Sequence, residues 1–257
     1  MPAKEGNFIK FLGTAGARFV MIRQLRSSGG IWISAAGENI LIDPGPGSIV
    51  HCNKSRPRLD PSRLDAIILT HRHLDHSGDI NVMIEAMTEG GFKKKGILFS
   101  PADALDNDPV ILEHAQNLLQ KIEILKENST YKIGKFVFNT SMQHIHPAET
   151  YGIKFKIDNT SISLLTDTKY FPELVNFYST DILIISVVFY QPQPEIQHLS
   201  LSDAGEIISK TKPKKAVLTH FGMTMLKAKP YLLAQKLTDE LGIEVVSAYD
   251  GLTLHFQ

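Results

Sequence analysis

The stretch Thr70-His71-Arg72-His73-Leu74-Asp75-His76-Ser77-Gly78-Asp79 constrains this chain more than any other. The run that leads into it, Ala66-Ile67-Ile68-Leu69-Thr70, is short, apolar and β-branched, and reads as a buried strand. Four side chains able to bind a metal then fall within six residues, interrupted only by Arg72 and Leu74. Residues two apart in extended backbone project to the same side, so His71 and His73 can bite one ion. The turn that follows lets Asp75 and His76 face a second position beside it. Neutral imidazole nitrogens with a hard carboxylate oxygen suit zinc, manganese or iron. A solvated polar loop is the bland alternative for any one of these residues. Four at this spacing, straight after a buried strand, weigh against it.

The rest of the pattern supplies a rigid frame for such a loop. Phe8–Leu12, Gly30–Ser34 and Ile40–Asp43 read as strands, the last two as a hairpin around Ala36–Asn39. A helix is expected from Asp79 to Thr88 and a strand at Ile97–Ser100, while Val110–Leu125 fits either one helix or a helix and a strand. Tyr131–Thr140, Tyr151–Ile157, Ser161–Thr166 and Asp181–Val187 read as further strands. Ser202–Lys210 reads as a helix, Ala216–Thr219 as a strand and Leu226–Leu241 as one long helix, before closing strands at Glu244–Ser247 and Leu252–Phe256. Two mixed sheets with helices outside them is the simplest packing of that order, an α/β chain of one domain over 1–257. Asp43, His71 and His220 each directly follow an apolar run at a strand's C-terminal edge, where sites usually sit.

Composition narrows the function. Hydrophobic residues make up 43% and charged ones 21%, enough for a substantial core and too apolar for disorder. Lys+Arg and Asp+Glu are 27 each, and zero net charge argues against a generic nucleic-acid or anionic-membrane binder. One cysteine, Cys52, excludes an internal disulfide and a multi-cysteine zinc site. Met1–Gly6 has no apolar stretch of signal type and no run of about 18 apolar residues occurs, so a soluble cytoplasmic protein without a membrane partner is expected.

The His-x-His-x-Asp-His pattern resembles the signature of the metallo-β-lactamase superfamily, and the resemblance extends in order over nearly the whole chain. Leu41-Ile42-Asp43-Pro44-Gly45 resembles the family's early strand-and-aspartate element, and His146 falls where its third metal histidine is expected. Leu165-Thr166-Asp167-Thr168 resembles the segment bearing the bridging aspartate, and Leu218-Thr219-His220-Phe221 the one bearing the last ligand. The resemblance implies a four-layer αβ/βα sandwich holding two divalent ions, zinc in the first place, with manganese or iron as alternatives. It implies that His71, His73 and His146 hold one ion, that Asp75, His76 and His220 hold the other, and that Asp167 bridges them. His144 lies two residues from His146 on the same side of an extended segment and competes for its place. Tyr151-Gly152 follows His146 at the interval typical of phosphodiesterase-like members, which favours His146.

Within the superfamily, Phe11-Leu12-Gly13-Thr14-Ala15-Gly16 resembles the opening of ribonuclease Z and its relatives. His198-Leu199-Ser200, 22 residues before His220, resembles that branch's His-Ser-Thr loop, whose histidine donates a proton near the leaving group. The third histidine is followed by Pro-Ala-Glu-Thr-Tyr-Gly, unlike the glyoxalase and lactonase branches. Gly152–Thr166 leaves room for two strands and a turn, so the long tRNA-gripping arm of ribonuclease Z is missing. The expectation is a dinuclear metal-dependent hydrolase of a small or cyclic phosphodiester, working by attack of metal-bound hydroxide, with His198 and Asp75 as catalytic residues. Ribonuclease Z-like processing of tRNA 3′ ends, lactone or ester hydrolysis, and a non-hydrolytic metal sensor or redox role are the alternatives. RNA is the weaker candidate partner, and a homodimer is left open. Arg18, Arg23 and Arg26 are candidate phosphate partners, and the backbone amides at Gly45 and Gly47 could approach substrate oxygens.

Overall fold

In the computed structural model, residues 6–256 are described, and among them strands and helices alternate from Phe8 to His255. The first half runs β1 (Phe8–Phe11), α1 (Ala17–Arg23), β2 (Ile31–Ala35), β3 (Glu38–Ile42), α2 (Ser48–Lys54), β4 (Ala66–Ile68), α3 (Leu74–Ser77), α4 (Ile80–Met87), β5 (Lys95–Ser100), α5 (Glu113–Leu118) and β6 (Leu119–Ile124). The second runs β7 (Thr130–Ile133), β8 (Phe136–Gln143), β9 (Tyr151–Ile157), β10 (Thr160–Leu165), α6 (Leu174–Phe177), β11 (Ile182–Ser186), α7 (Leu201–Thr211), β12 (Lys215–Thr219), α8 (Met223–Lys227), α9 (Pro230–Leu241), β13 (Glu244–Ser247) and β14 (Thr253–His255). The expectation drawn from Met1–Gly6 concerns residues that, Gly6 apart, lie outside the described range.

The strands form two sheets of seven, ordered β14-β1-β2-β3-β4-β5-β6 and β13-β12-β11-β10-β9-β8-β7. Each sheet is antiparallel at one end and parallel at the other. In the first, β3, β4, β5 and β6 run parallel; in the second, β10, β11, β12 and β13 do. Connections between parallel strands must cross over the sheet, which is why helices fall there and cover the outer faces. Three apolar clusters follow from this layering. One lies between the sheets, around Ile9, Ile33, Phe138, Phe155 and Ile184. A second packs α2, α4 and α5 on the first sheet through Leu41, Ile67, Met83 and Leu98, and a third packs α7, α8 and α9 on the other through Leu183, Ile207, Leu218 and Leu233. Strands buried on both faces explain the continuous apolar runs at Ala66–Ile68 and Ile182–Ser186. No helix among the described residues is long and apolar enough to cross a membrane.

The elements depart from the expectation in several places. Tyr131–Thr140 is not one strand but the hairpin β7–β8, turned at Gly134 with φ 52°. The helix expected over Leu226–Leu241 is broken into α8 and α9, because Pro230 has no N–H to continue it and Lys229 adopts φ 61°. Val110–Leu125, expected as either one helix or a helix and a strand, takes the second form, α5 followed by β6. The short α1 and α2 had no signal in the apolar pattern, and α1 buries only Val20 while Phe19 and Ile22 face outward.

Candidate metal centre

Because the parallel strands of both sheets point the same way, their C-terminal ends meet along one edge of the sandwich. Asp43 follows β3, His71 follows β4, Asp167 follows β10 and His220 follows β12. His73, Asp75 and His76 come from the loop after His71 and from α3, His146 from the loop after β8, and His198 from the loop after β11. Residues far apart in sequence are thereby brought to one place. His71, His73 and His146 present ligand atoms within 4.8 Å of one another, as do His71, His76 and Asp167, and likewise Asp75, His76 and His220.

The hydrogen bonds leave a lone pair facing inward at several of these rings. Asp43 accepts from the Thr70 amide (2.7 Å), the Thr70 hydroxyl (2.7 Å) and His76 Nδ1 (2.9 Å). Since Thr70 has given its proton to Asp43, its oxygen accepts from His71 Nδ1, 3.1 Å away. Both histidines thus keep Nε2 for the site, and His71 Nε2 is buried without a partner. His146 Nδ1 donates to the Gln197 carbonyl (3.0 Å), which turns its Nε2 to within 3.0 Å of His73 Nδ1. His76 Nε2 and His220 Nε2 are 2.9 Å apart. Asp75 Oδ2 accepts the Ala17 amide at 3.1 Å and lies 3.5 Å from His220 Nε2. Asp167 is buried among them, with Oδ1 lacking a hydrogen-bond partner. Orienting partners behind the ligand atoms are the usual mark of metal-binding histidines. Asp43 and Thr70 were not assigned that part from sequence; an aspartate closing a strand and a threonine before the first histidine were the signals.

Protonation follows from burial and charge. Burial pushes the imidazolium form of His71 far out of reach, lowers that of His73, and brings His146 down to about 4. These three rings are neutral and can donate lone pairs. Burial also acts on His76, but Asp43 and Asp75 beside it hold its pKa well above the ordinary value. Asp167 is held well below the usual carboxylate range despite its burial, first by His220 and then by His198. One half of the site offers neutral nitrogens and the other a field of carboxylates that favours a cation. That donor set, with unpaired buried atoms on His71, Asp167 and His220, fits divalent metal.

His144 points away from this cluster. Its Nδ1 donates to the Asp167 carbonyl (3.0 Å), its Nε2 accepts from Tyr178 (2.6 Å), and burial brings its pKa down to about 4. His198 lies at the cluster's edge, Nδ1 3.5 Å from Asp167 Oδ2. The amides expected to approach substrate are engaged elsewhere: Gly45 donates to the Asp43 carbonyl and Gly47 to Asp79 Oδ2. Gly45 and Gly16 serve instead as close approaches, since a Cβ would sit 1.8 Å from the Ser28 carbonyl at the first and 2.1 Å from the His220 carbonyl at the second. Arg26 is likewise occupied, donating to Thr14 and the Ala248 carbonyl, whereas Arg18 lines a cleft of about 570 Å³ that opens beside His73, Asp75, Asp167 and His198. Behind the histidines, a separate space of about 50 Å³ between the sheets has room only for water.

The family profile for the beta-lactamase superfamily domain matches residues 38–221, a span from β3 to the residue after His220. The chain belongs to the beta-lactamase superfamily. This superfamily member is therefore one of a group of metal-dependent hydrolases. An uncharacterized protein of Methanocaldococcus jannaschii is 28% identical to it over 255 residues, covering 95% of this chain and 93% of that one. The crystal structure of the metallo-beta-lactamase fold protein YhfI from Bacillus subtilis superposes with a TM-score of 0.77 at 20% identity, covering 98% of this chain and 100% of that one. A diphosphatase from the PhnP family superposes with a TM-score of 0.72 at 20% identity over 98% of each chain. These likenesses show that this superfamily member has the expected fold, the four-layer metallo-β-lactamase sandwich of two mixed sheets flanked by helices.

Proposed function

We propose that this protein is a dinuclear hydrolase of small or cyclic phosphodiesters. The observation that best supports it is the position of Asp167, whose oxygens lie 3.7 Å from His71, 3.6 Å from His76, 3.5 Å from His198 and 3.3 Å from His220. One carboxylate faces both donor groups. His71, His73 and His146 would hold one ion, Asp75, His76 and His220 the other, and Asp167 both. Zinc suits this set best, while manganese and iron satisfy the same donors. Divalent ions held there would polarise a phosphoryl oxygen and lower the pKa of water.

The chain's own residues supply the rest. Asp75 Oδ2 faces His220 at 3.5 Å and His76 at 3.9 Å and accepts one hydrogen bond, from the Ala17 amide, so a second lone pair on that oxygen is left to hold an ion or to take a proton from water. His198 keeps Nδ1 toward Asp167, so Nε2 is the nitrogen from which a proton would reach the leaving oxygen. Burial lowers the pKa of His198, and Asp167 opposes that only in part, which makes its protonated form a readier donor to the leaving oxygen. Arg18 is the one lysine or arginine among the described residues lining the cleft. Binding a polynucleotide takes a row of phosphate contacts, so a single cation favours a small diester over RNA. The β9–β10 hairpin, turned at Asp158-Asn159, fills the interval where a tRNA-gripping arm would be inserted.

The test is a panel of bis-p-nitrophenyl phosphate, cyclic nucleotides, a lactone, a β-lactam and a pre-tRNA, each with added zinc or manganese. Diesters should turn over, and elemental analysis should approach two equivalents of metal per chain. Turnover confined to the lactone, or a specific 3′ cut in pre-tRNA, would replace this reading.

A further inference from the structure

Beside the candidate metal centre, the wall of the cleft is apolar. Leu74 stands between His73 and Asp75 with 62% of its surface exposed. Across from it α1 offers Phe19, 61% exposed, and the loop after β11 offers Phe189 and Ile196, the latter 44% exposed. Met223, at the start of α8, lies in the same lining. The Phe189 ring is 6.2 Å from the His198 ring, so apolar wall and proposed proton donor adjoin. None of these side chains serves the core. Singly exposed apolar residues need no explanation, but several converging on one cleft that also holds the reactive residues mark a ligand site.

We infer that the phosphodiester carries an apolar aryl or alkyl ester group, seated between Phe19, Leu74 and Ile196, with its phosphate facing Arg18 and the histidine cluster. This rests on the reading of the site as a phosphodiesterase. A nucleotide-like or sugar-like group would leave its hydroxyls against a wall with few polar partners, whereas an alkyl or aryl group removes that wall from water.

The test holds the leaving group constant. Methyl, butyl and phenyl diesters of p-nitrophenyl phosphate should show kcat/KM rising along the series, by about tenfold or more from methyl to phenyl. Phe19→Ser and Ile196→Ser should each pull the phenyl-to-methyl ratio toward one, with the melting temperature held near wild type because both side chains are exposed. A second readout needs no turnover: calorimetry on zinc-loaded protein should find phenylphosphonate bound about tenfold more tightly than methylphosphonate. Equal affinities for the two phosphonates overturn the inference even if every diester is hydrolysed. The affinity gradient without hydrolysis of any diester supports the apolar site and overturns the phosphodiesterase reading instead. If Phe19→Ser changes the sedimentation mass and leaves both ratios unaltered, α1 seats a second copy of the chain and the inference fails.

Discussion

Replacing Asp43 by Asn should release one ion while leaving the fold standing. Asp43 adopts φ 51°, a conformation that Asn tolerates as readily as Asp. In the variant the amide oxygen must keep the Thr70 N–H, now 2.7 Å from the carboxylate, so the NH2 turns to the Thr70 hydroxyl and to His76. Thr70 adapts, because its oxygen can accept from that NH2 while its proton swings to Thr166, 3.3 Å away. His76 cannot. Two donors would face each other across 2.9 Å, so the ring must move its proton to Nε2 or rotate. A proton on Nε2 takes up the lone pair that faces His220. Loss of such an orienting partner typically costs 10–100-fold in metal affinity, about 1.4–2.7 kcal/mol. Two retained hydrogen bonds that lose their charge, at about 1 kcal/mol each, lower unfolding stability by roughly 2 kcal/mol. Asp43→Ala strands the Thr70 N–H as well, since only the hydroxyl can turn to Thr166, and should cost about 1–3 kcal/mol for that donor. A zinc titration against a chromophoric chelator resolves the two sites, and guanidinium unfolding in EDTA measures the apo fold. Wild-type affinity at both sites in Asp43→Asn would refute the reasoning, and equal weakening of both would show that Asp43 acts on the sheet edge rather than on His76.

Three further outcomes are expected. His198→Ala should keep its metal and lose about 10²–10⁴-fold on an alkyl diester, with much less loss on bis-p-nitrophenyl phosphate, whose leaving group needs no proton; equal losses on both would make it a positioning residue. Asp167→Ala should weaken both ions, read by elemental analysis after dialysis, and loss of only one would show that the carboxylate serves a single site. Cys52 is buried next to Asp79, and burial first, then that charge, push its thiol up to about 12. Since the reactive thiolate forms only as pH approaches that value, Ellman's reagent at pH 8 should leave native Cys52 unmodified and label it on unfolding; rapid native labelling would contradict the packing.

Much of the fold was legible because its signals are local. Strands such as Ala66–Ile68 and Ile182–Ser186 lie in both-face-buried positions and so read as unbroken apolar runs. The spacing of His71, His73, Asp75 and His76 is a property of one loop and needs no tertiary information. Pro230 and Gly134 were visible too, but an apolar pattern that ran through each of them hid the break.

What the amino-acid order determined alone is therefore most of the strands, the longer helices and the one loop dense in ligand-type side chains. Which lone pair faces which was decided by packing. Asp43 reaches Thr70 across 27 residues and His76 across 33, and no spacing rule announces either contact. His144 and His146 compete as sequence, two residues apart on one extended segment, with only the interval to Tyr151-Gly152 favouring His146. The fold separates them, turning His144 to Tyr178 and the Asp167 backbone and His146 to His73. Covalent spacing sets only what neighbours along the chain can share, whereas a site assembled from both sheets exists once their parallel strands end along the same edge.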